Sequence, residues 1–264
     1  MSDVKRRLNR IFKDGKSFVV ACDHGMISGP IKGVADMGWC LDQVIEGGAD
    51  AVMASYGTAV RFPEKLARVG LVLRIDGTSS VLAPREGRGS AFYGIEEALQ
   101  LGAEALCVTS FTATEYEEEH LKTLAAVIRE GHKWGIPMMA EMMPGGFDAG
   151  PELRSLEHMK TTARVACELG ADWVKIPYCE GFEEVVDNCY VPVVVLGGAN
   201  DPDKRSILEM VKRGLDAGCA GATVGRNVWQ AEHPARMARA IAALIHDEVS
   251  VDRAMEILDN DDNS

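Results

Sequence analysis

The sequence predicts a single (β/α)8 barrel, and three observations carry that expectation. Short, β-rich apolar runs alternate with longer stretches of helical periodicity, the pattern of parallel strands joined by crossover helices. Eight such units can be counted, and eight is the number that closes the commonest α/β barrel. The length of 264 residues suits one barrel, an architecture that takes roughly 250 residues around one core.

In chain order the expected strands are Phe18–Cys22, Asp50–Ala54, Leu71–Ile75, Ala105–Thr109, Pro137–Glu141, Trp173–Ile176, Val191–Leu196 and Gly221–Val224. Each is a run of four to six residues, too short and too continuously apolar for an amphipathic helix. Between them, Glu115–Trp134, Leu153–Leu169, Lys204–Ala217 and His233–His246 repeat apolar residues at spacings of three and four, which predicts helices packed by one face on the barrel. Three helices are expected to finish in Leu101-Gly102-Ala103, Leu169-Gly170-Ala171 and Ala217-Gly218-Cys219, where glycine takes the left-handed conformation that ends a helix. Val251–Leu258 reads as one more short helix. The barrel is therefore expected over 1–258, with 259–264, Asp-Asn-Asp-Asp-Asn-Ser, as a disordered tail.

Composition narrows the function classes. A formal charge of -12 argues against a nucleic-acid partner, because phosphate backbones are held by clustered Lys and Arg. The seven cysteines form no C-x-x-C pair and are odd in number, so neither a disulfide framework nor a zinc knuckle is expected and a reducing cytoplasm fits best. The six histidines show no metal-ligand spacing, and no Walker, Rossmann or H-E-x-x-H phrase occurs. No metal or cofactor is expected. Nothing near the N-terminus resembles a signal peptide or a membrane span.

Barrel chemistry sits at the C-terminal ends of the strands, and those positions are polar here. Lys175, in Trp173-Val174-Lys175-Ile176, places an ammonium in a strand that otherwise reads as buried. A buried ammonium must be paired or neutralised, and a neutral lysine amine forms imines with ketones and aldehydes. The plain alternative is a structural lysine paired to a barrel carboxylate. Asp23 and His24 follow the first strand and offer two proton-handling groups, or an Asx turn with a flanking histidine. Arg74 and Asp76 flank the end of the third strand, and both are expected to contact substrate. Glu141 ends the fifth. Gly197-Gly198 and Gly225-Arg226 follow the seventh and eighth strands, where barrels commonly bind phosphate through backbone N–H groups. Arg226 adds a charge-assisted hydrogen bond there or staples the barrel end. Met138, Met139, Met142 and Met143 read as core filler.

These residues resemble the archaeal-type class I aldolases of the DhnA family over nearly the whole chain. The likeness rests on Phe18 through Gly25, Leu73-Arg74-Ile75-Asp76-Gly77-Thr78, Lys175-Ile176-Pro177-Tyr178, Leu196-Gly197-Gly198 and Val224 through Gln230. The C-terminal third is also similar to the thiolase that processes phosphorylated autoinducer-2, through Gly181 to Val186 and Gln230 to Met237. The resemblance implies a Schiff base on Lys175, an acid/base role for Asp23, phosphate at the two glycine phrases and a homo-oligomer. One departure stands out: the aldolases carry Trp-x-Tyr-Pro at the fifth strand, with tyrosine moving protons, and this chain has Glu141-Met142-Met143-Pro144. Methionine cannot transfer a proton, so that task would pass to Glu141, Asp23, His24 or water.

Three readings follow. The leading one is a metal-independent aldolase acting on a small phosphorylated keto or sugar substrate. The second is a transferase that passes an acyl fragment to coenzyme A, and the third is a catalytically silent phosphate-binding barrel.

Overall fold

The computed structural model describes residues 2–83 and 87–260. Eight parallel strands close into a barrel in chain order: β1 Ser17–Ala21, β2 Ala51–Ser55, β3 Gly70–Arg74, β4 Ala105–Ser110, β5 Met138–Met142, β6 Trp173–Ile176, β7 Val193–Leu196 and β8 Gly221–Val224. The ring closes where β1 pairs with β8, Ser17 to Val20 lying beside Gly221 to Val224. The expected (β/α)8 barrel is therefore the fold. Most strand ends fall within one residue of expectation. The seventh starts later, at Val193, because Pro192 has no N–H to donate and serves the sheet only through its carbonyl, which accepts from Val174 N at 2.9 Å.

Side-chain alternation along each strand divides the core in two. Outward residues such as Val174, Ile176, Val193 and Val195 join the large layer between strands and helices. Inward residues fill the barrel itself: Val19, Met53, Val72, Cys107, Met139, Trp173 and Val194 form a separate cluster. Trp173 and Ile11 are fully buried at its base, where the Phe12 ring stands edge-on to Trp173 at 5.6 Å. Burying side chains of this size contributes about 1.5–3 kcal/mol each, so the lower barrel is a packed plug. The parity that buries Trp173 also turns Lys175, two residues on, into the barrel.

The helices predicted at 115–134, 153–169, 204–217 and 233–246 form as Glu117–Lys133, Leu156–Glu168, Lys204–Asp216 and Pro234–His246. The last helix runs Val251–Asp259, one residue into the expected tail, and 261–264 lie outside the described residues. Below the barrel, Asp50 Oδ2 accepts from Phe18 N at 2.7 Å and stands 2.7 Å from His246 Nε2, while Lys13 Nζ reaches Oδ1 at 2.8 Å. That carboxylate ties the entry of β1 to the penultimate helix. Among the described residues no helix is long and apolar enough to cross a membrane.

Candidate active site

The site grows out of strand register. Thr109 on β4 pairs with Glu141 on β5, and Glu141 pairs with Lys175 on β6, so three consecutive inward side chains meet above the apolar plug. Lys175 Nζ contacts Glu141 Oε1 directly, and both side chains are buried. Thr109 Oγ1 donates to Glu141 Oε2 at 2.8 Å. Lysine and carboxylate are both largely withdrawn from solvent, and their direct contact offsets part of the cost of burying two charges.

Arg74, at the end of β3, spans the floor. Its Nε donates to Asp23, Nη1 to Asp76 at 3.0 Å and to Thr109, and Nη2 to Glu141 and to Met53 Sδ at 3.6 Å. A guanidinium has five N–H groups, and these five acceptors take all of them. Arg74 and Asp76 were expected to contact substrate. Both line the cavity, where the N–H groups of Arg74 are engaged by protein acceptors and Asp76 is held by Arg74 and by Thr109 N at 3.0 Å. They build the floor and set its charge.

The three carboxylates around Arg74 differ in their readiness to ionise. Burial would raise Asp23, but Arg74, His24 and Lys175 outweigh it and hold that carboxyl well below the usual range. Glu141 is likewise buried, yet Lys175 first and Arg74 second bring it down to about 2. Asp76 moves the other way, raised by burial and by neighbouring Glu141 despite Arg74. Ionised Asp23 and Glu141 thus face the two cations, and Asp76 is the carboxyl most ready to hold a proton.

His24 continues from Asp23 into the short helix Gly25–Ser28. Its Nδ1 stands 3.4 Å from Asp23 Oδ1. The ring packs edge-on to Trp229 at 5.2 Å, and the Trp229 indole donates to Ala21 O at 2.9 Å. Gly225 must be glycine for this arrangement, since a Cβ would lie 2.7 Å from His24 Cε1 and 2.9 Å from Ala21 O.

The loops after β7 and β8 are tied together by Asn227, a buried residue that sequence reasoning passed over. Its Nδ2 donates to Gly197 O and Ala199 O, both at 2.8 Å, and its Oδ1 accepts from Asp201 N at 2.8 Å. In a trans peptide the carbonyl and the next N–H point oppositely, so drawing Gly197 O toward Asn227 turns the Gly198 N–H away from it. Gly198, at φ +67°, takes the left-handed turn that this requires. Asn is polar and follows Arg226 in the quoted phrase, but nothing in the sequence shows that it bridges two loops. Thr109 was likewise taken only as the end of a strand.

These parts surround one cavity of about 490 Å³ at the C-terminal end of the barrel. It brings together Asp23, His24, Arg74, Asp76, Glu141, Lys175, Gly197, Gly198, Gly225 and Arg226, every residue singled out from sequence. Its size is that of a small-molecule site. Met138, Met139 and Met142 are core, but Met143, also buried, forms part of the cavity wall. Arg154, from the 3-10 turn Pro151–Arg154 in the loop after β5, also lines it and was not anticipated.

Comparison with known proteins places the chain among aldolases and a related thiolase in sequence and fold. The chain is 33% identical over 254 residues to a 2-amino-3,7-dideoxy-D-threo-hept-6-ulosonate synthase of Archaeoglobus fulgidus, covering 96% of this chain and 94% of that one. It is 33% identical over 257 residues to the 3-hydroxy-5-phosphonooxypentane-2,4-dione thiolase of Escherichia coli, covering 96% and 86%. Among solved structures it superposes at TM-score 0.83 and 32% identity on an archaeal fructose-1,6-bisphosphate aldolase whose catalytic lysine is bound to a carbinolamine intermediate, covering 92% of this chain and 99% of that one. The profile of the DeoC/LacD family aldolases matches residues 17–231, and the chain belongs to that family.

Proposed function

We infer that this protein is a class I aldolase: Lys175 forms an imine with a small phosphorylated keto compound, and the adjacent carbon–carbon bond is then made or broken. The observation that carries this reading is the buried Lys175–Glu141 contact opening onto the cavity that the two glycine loops also line. In the cleavage direction, Glu141 takes a proton from the Nζ ammonium and the free amine attacks the substrate carbonyl. The carbinolamine loses water, and the protonated imine draws electrons from the neighbouring bond as it breaks. The β-hydroxyl gives its proton to Glu141, which is ionised again once its earlier proton has left with the expelled water, and an enamine and an aldehyde result. The enamine is protonated at carbon, and water then releases the ketone from Lys175.

Electrostatics support Glu141 as the proton carrier in place of the missing tyrosine. A carboxylate at about 2 is a poor base while the ammonium is present, but Lys175 is the strongest of the influences that lower it. Once the amine becomes a neutral carbinolamine, that influence vanishes, so Glu141 holds the proton it has taken and can give it to the departing hydroxyl. Asp23, ionised on the other side of Arg74, is placed to stabilise the cationic imine. Gly198, Gly225 and Arg226 hold the phosphate. All seven cysteines are buried free thiols, which supports a reducing, cytoplasmic setting.

The test is reduction with borohydride in the presence of phosphorylated ketoses and dihydroxyacetone phosphate, followed by intact mass and peptide mapping. An adduct on Lys175 in the native chain, absent in Lys175→Ala, is expected. Turnover surviving in Lys175→Ala would overturn the mechanism. One observation favours a second reading, acyl transfer to coenzyme A: Met143 stands in the cavity wall where the aldolase pattern has its tyrosine. A product formed only with coenzyme A would select it.

A further inference from the structure

The two carboxylate oxygens of Glu141 have unlike surroundings, and Thr109 is the residue that completes the difference. Its hydroxyl accepts from Arg74 Nη1 and stands 2.8 Å from Glu141 Oε2. A guanidinium can only donate, so the single hydroxyl hydrogen goes to the carboxylate. Glu141 Oε2 also accepts from Arg74 Nη2, and two donors thereby occupy its two lone pairs. Arg74 cannot turn aside to release one of them without breaking its bonds to Asp23 and Asp76. Oε1 faces Lys175 Nζ instead.

This asymmetry has a chemical consequence. A proton arriving on Oε2 would displace the Arg74 N–H or the Thr109 O–H. A proton arriving on Oε1 leaves both in place, because Oε2 then serves them as the carbonyl oxygen of the acid. Both donors also favour the ionised carboxylate, since a hydrogen bond to a charged acceptor is the stronger one. Thr109 is buried on β4, where strand register sets it beside Glu141, and its backbone N–H holds Asp76 at 3.0 Å.

We propose that Thr109 is a positioning residue for the lysine chemistry: together with Arg74 it occupies Glu141 Oε2 and confines the proton traffic of Glu141 to Oε1, the oxygen that faces Lys175. That one oxygen receives the Nζ proton, gives it to the departing hydroxyl to form water, and then takes the proton of the β-hydroxyl. The proposal rests on the reading of Glu141 as the proton carrier, and its test includes a measurement that needs no turnover.

The other ionisable groups around Glu141 are Lys175 on β6, Arg74 on β3, Asp76 just beyond it, Asp23 after β1 and the Cys107 thiol on β4. Lys175 is the largest of the influences that lower Glu141, so the effect of Thr109 is read with it removed, in Lys175→Ala. The remaining groups are common to every variant compared. Carbon-13 NMR of the full chain labelled at its glutamate carboxyls follows the Glu141 titration, the signal being identified by its loss in Glu141→Gln. Adding Thr109→Val should raise the proton affinity of Glu141 about 10-fold, and Thr109→Ser, which keeps the hydroxyl, should leave it within about twofold. In the chain that retains Lys175, Thr109→Val should lower kcat about 10-fold with little change in KM, and Thr109→Ser should restore most of it. Thermal melting checks that each variant is folded; if Thr109→Val is not, Thr109→Ala removes the hydroxyl in its place. The proposal is overturned if the titration or kcat is unmoved in the variant lacking the hydroxyl, or if Thr109→Ser shifts as far as that variant does. Borohydride trapping run alongside separates the two readings. Trapping that fails in the native chain with the titration shift intact would remove the imine reading and leave the coupling of Thr109 to Glu141 standing, whereas trapping with no shift would remove this proposal alone.

Discussion

Replacing Glu141 by glutamine should remove both a proton carrier and a buried charge, and the second loss has a pH signature that can be worked out in advance. Glu141 titrates at about 2 in the folded chain against an ordinary 4.5, a depression of about 2.5 units, which at 1.36 kcal/mol per unit is about 3 kcal/mol. The sign follows from linkage: a carboxyl depressed by folding stabilises the native state above its unfolded pKa, and the contribution disappears as pH falls through the folded value. Glu141→Gln should therefore be about 3 kcal/mol less stable at pH 7, with the deficit shrinking to about 1 kcal/mol at pH 3. Urea unfolding of both chains between pH 7 and pH 3 measures this as a difference, in which carboxyls remote from Glu141 cancel. Turnover should fall about 10²- to 10⁴-fold in the same variant, the usual worth of a positioned acid/base. A stability deficit that stays constant with pH would refute the electrostatic account, and near-native turnover would refute the proton-carrier role.

Two further predictions concern the frame rather than the reacting groups. Asn227→Ala removes three hydrogen bonds between the β7 and β8 loops, and at about 1 kcal/mol net each it should lower stability by about 3 kcal/mol. Because it frees the loops assigned to phosphate, KM for a phosphorylated substrate should rise about 10-fold with a smaller change in kcat; steady-state kinetics showing the reverse split would detach Asn227 from phosphate binding. Asp50→Asn, at the far end of the barrel, should cost about 2–3 kcal/mol at pH 7 without altering turnover per folded molecule. Hydrogen bonds and ion pairs to His246 and Lys13, with Phe18 N, overcome the effect of burial and depress the Asp50 carboxyl, so its contribution is present at neutral pH and lost on acidification. Urea unfolding at pH 7 and pH 2 should show the deficit narrowing, since the contribution is lost only as pH falls below the ordinary carboxylate range, and a deficit that widens would contradict that direction.

The fold was legible because it is written in local regularities. Alternating short apolar runs and amphipathic helices mark parallel strands and crossovers, and Trp173-Val174-Lys175-Ile176 alone shows which residues share a face. The apolar run around Lys175 is enough to place its ammonium in a buried strand. Where local pattern misled, the cause was equally local: Pro192 looked compatible with a strand by apolarity, but without an N–H it stands just outside the ladder.

What only tertiary structure decided is the state of each polar group, because hydrogen bonding and charge depend on neighbours far apart in sequence. Arg74 and Arg154 are both arginines at strand ends or loops. One has its donors exhausted by Asp23, Asp76, Thr109, Glu141 and Met53, and the other faces the cavity with donors remaining. The same holds for Glu141, whose contacts with Thr109, Lys175 and Arg74 come from strand register around the ring. The sequence by itself determined the barrel, the end of it that carries chemistry and the identity of the buried lysine, since these follow from periodicity and chain direction. Closure of the ring determined which carboxylate keeps its charge and which arginine is consumed, since Coulomb and hydrogen-bond energies are set by distances that only the closed barrel defines.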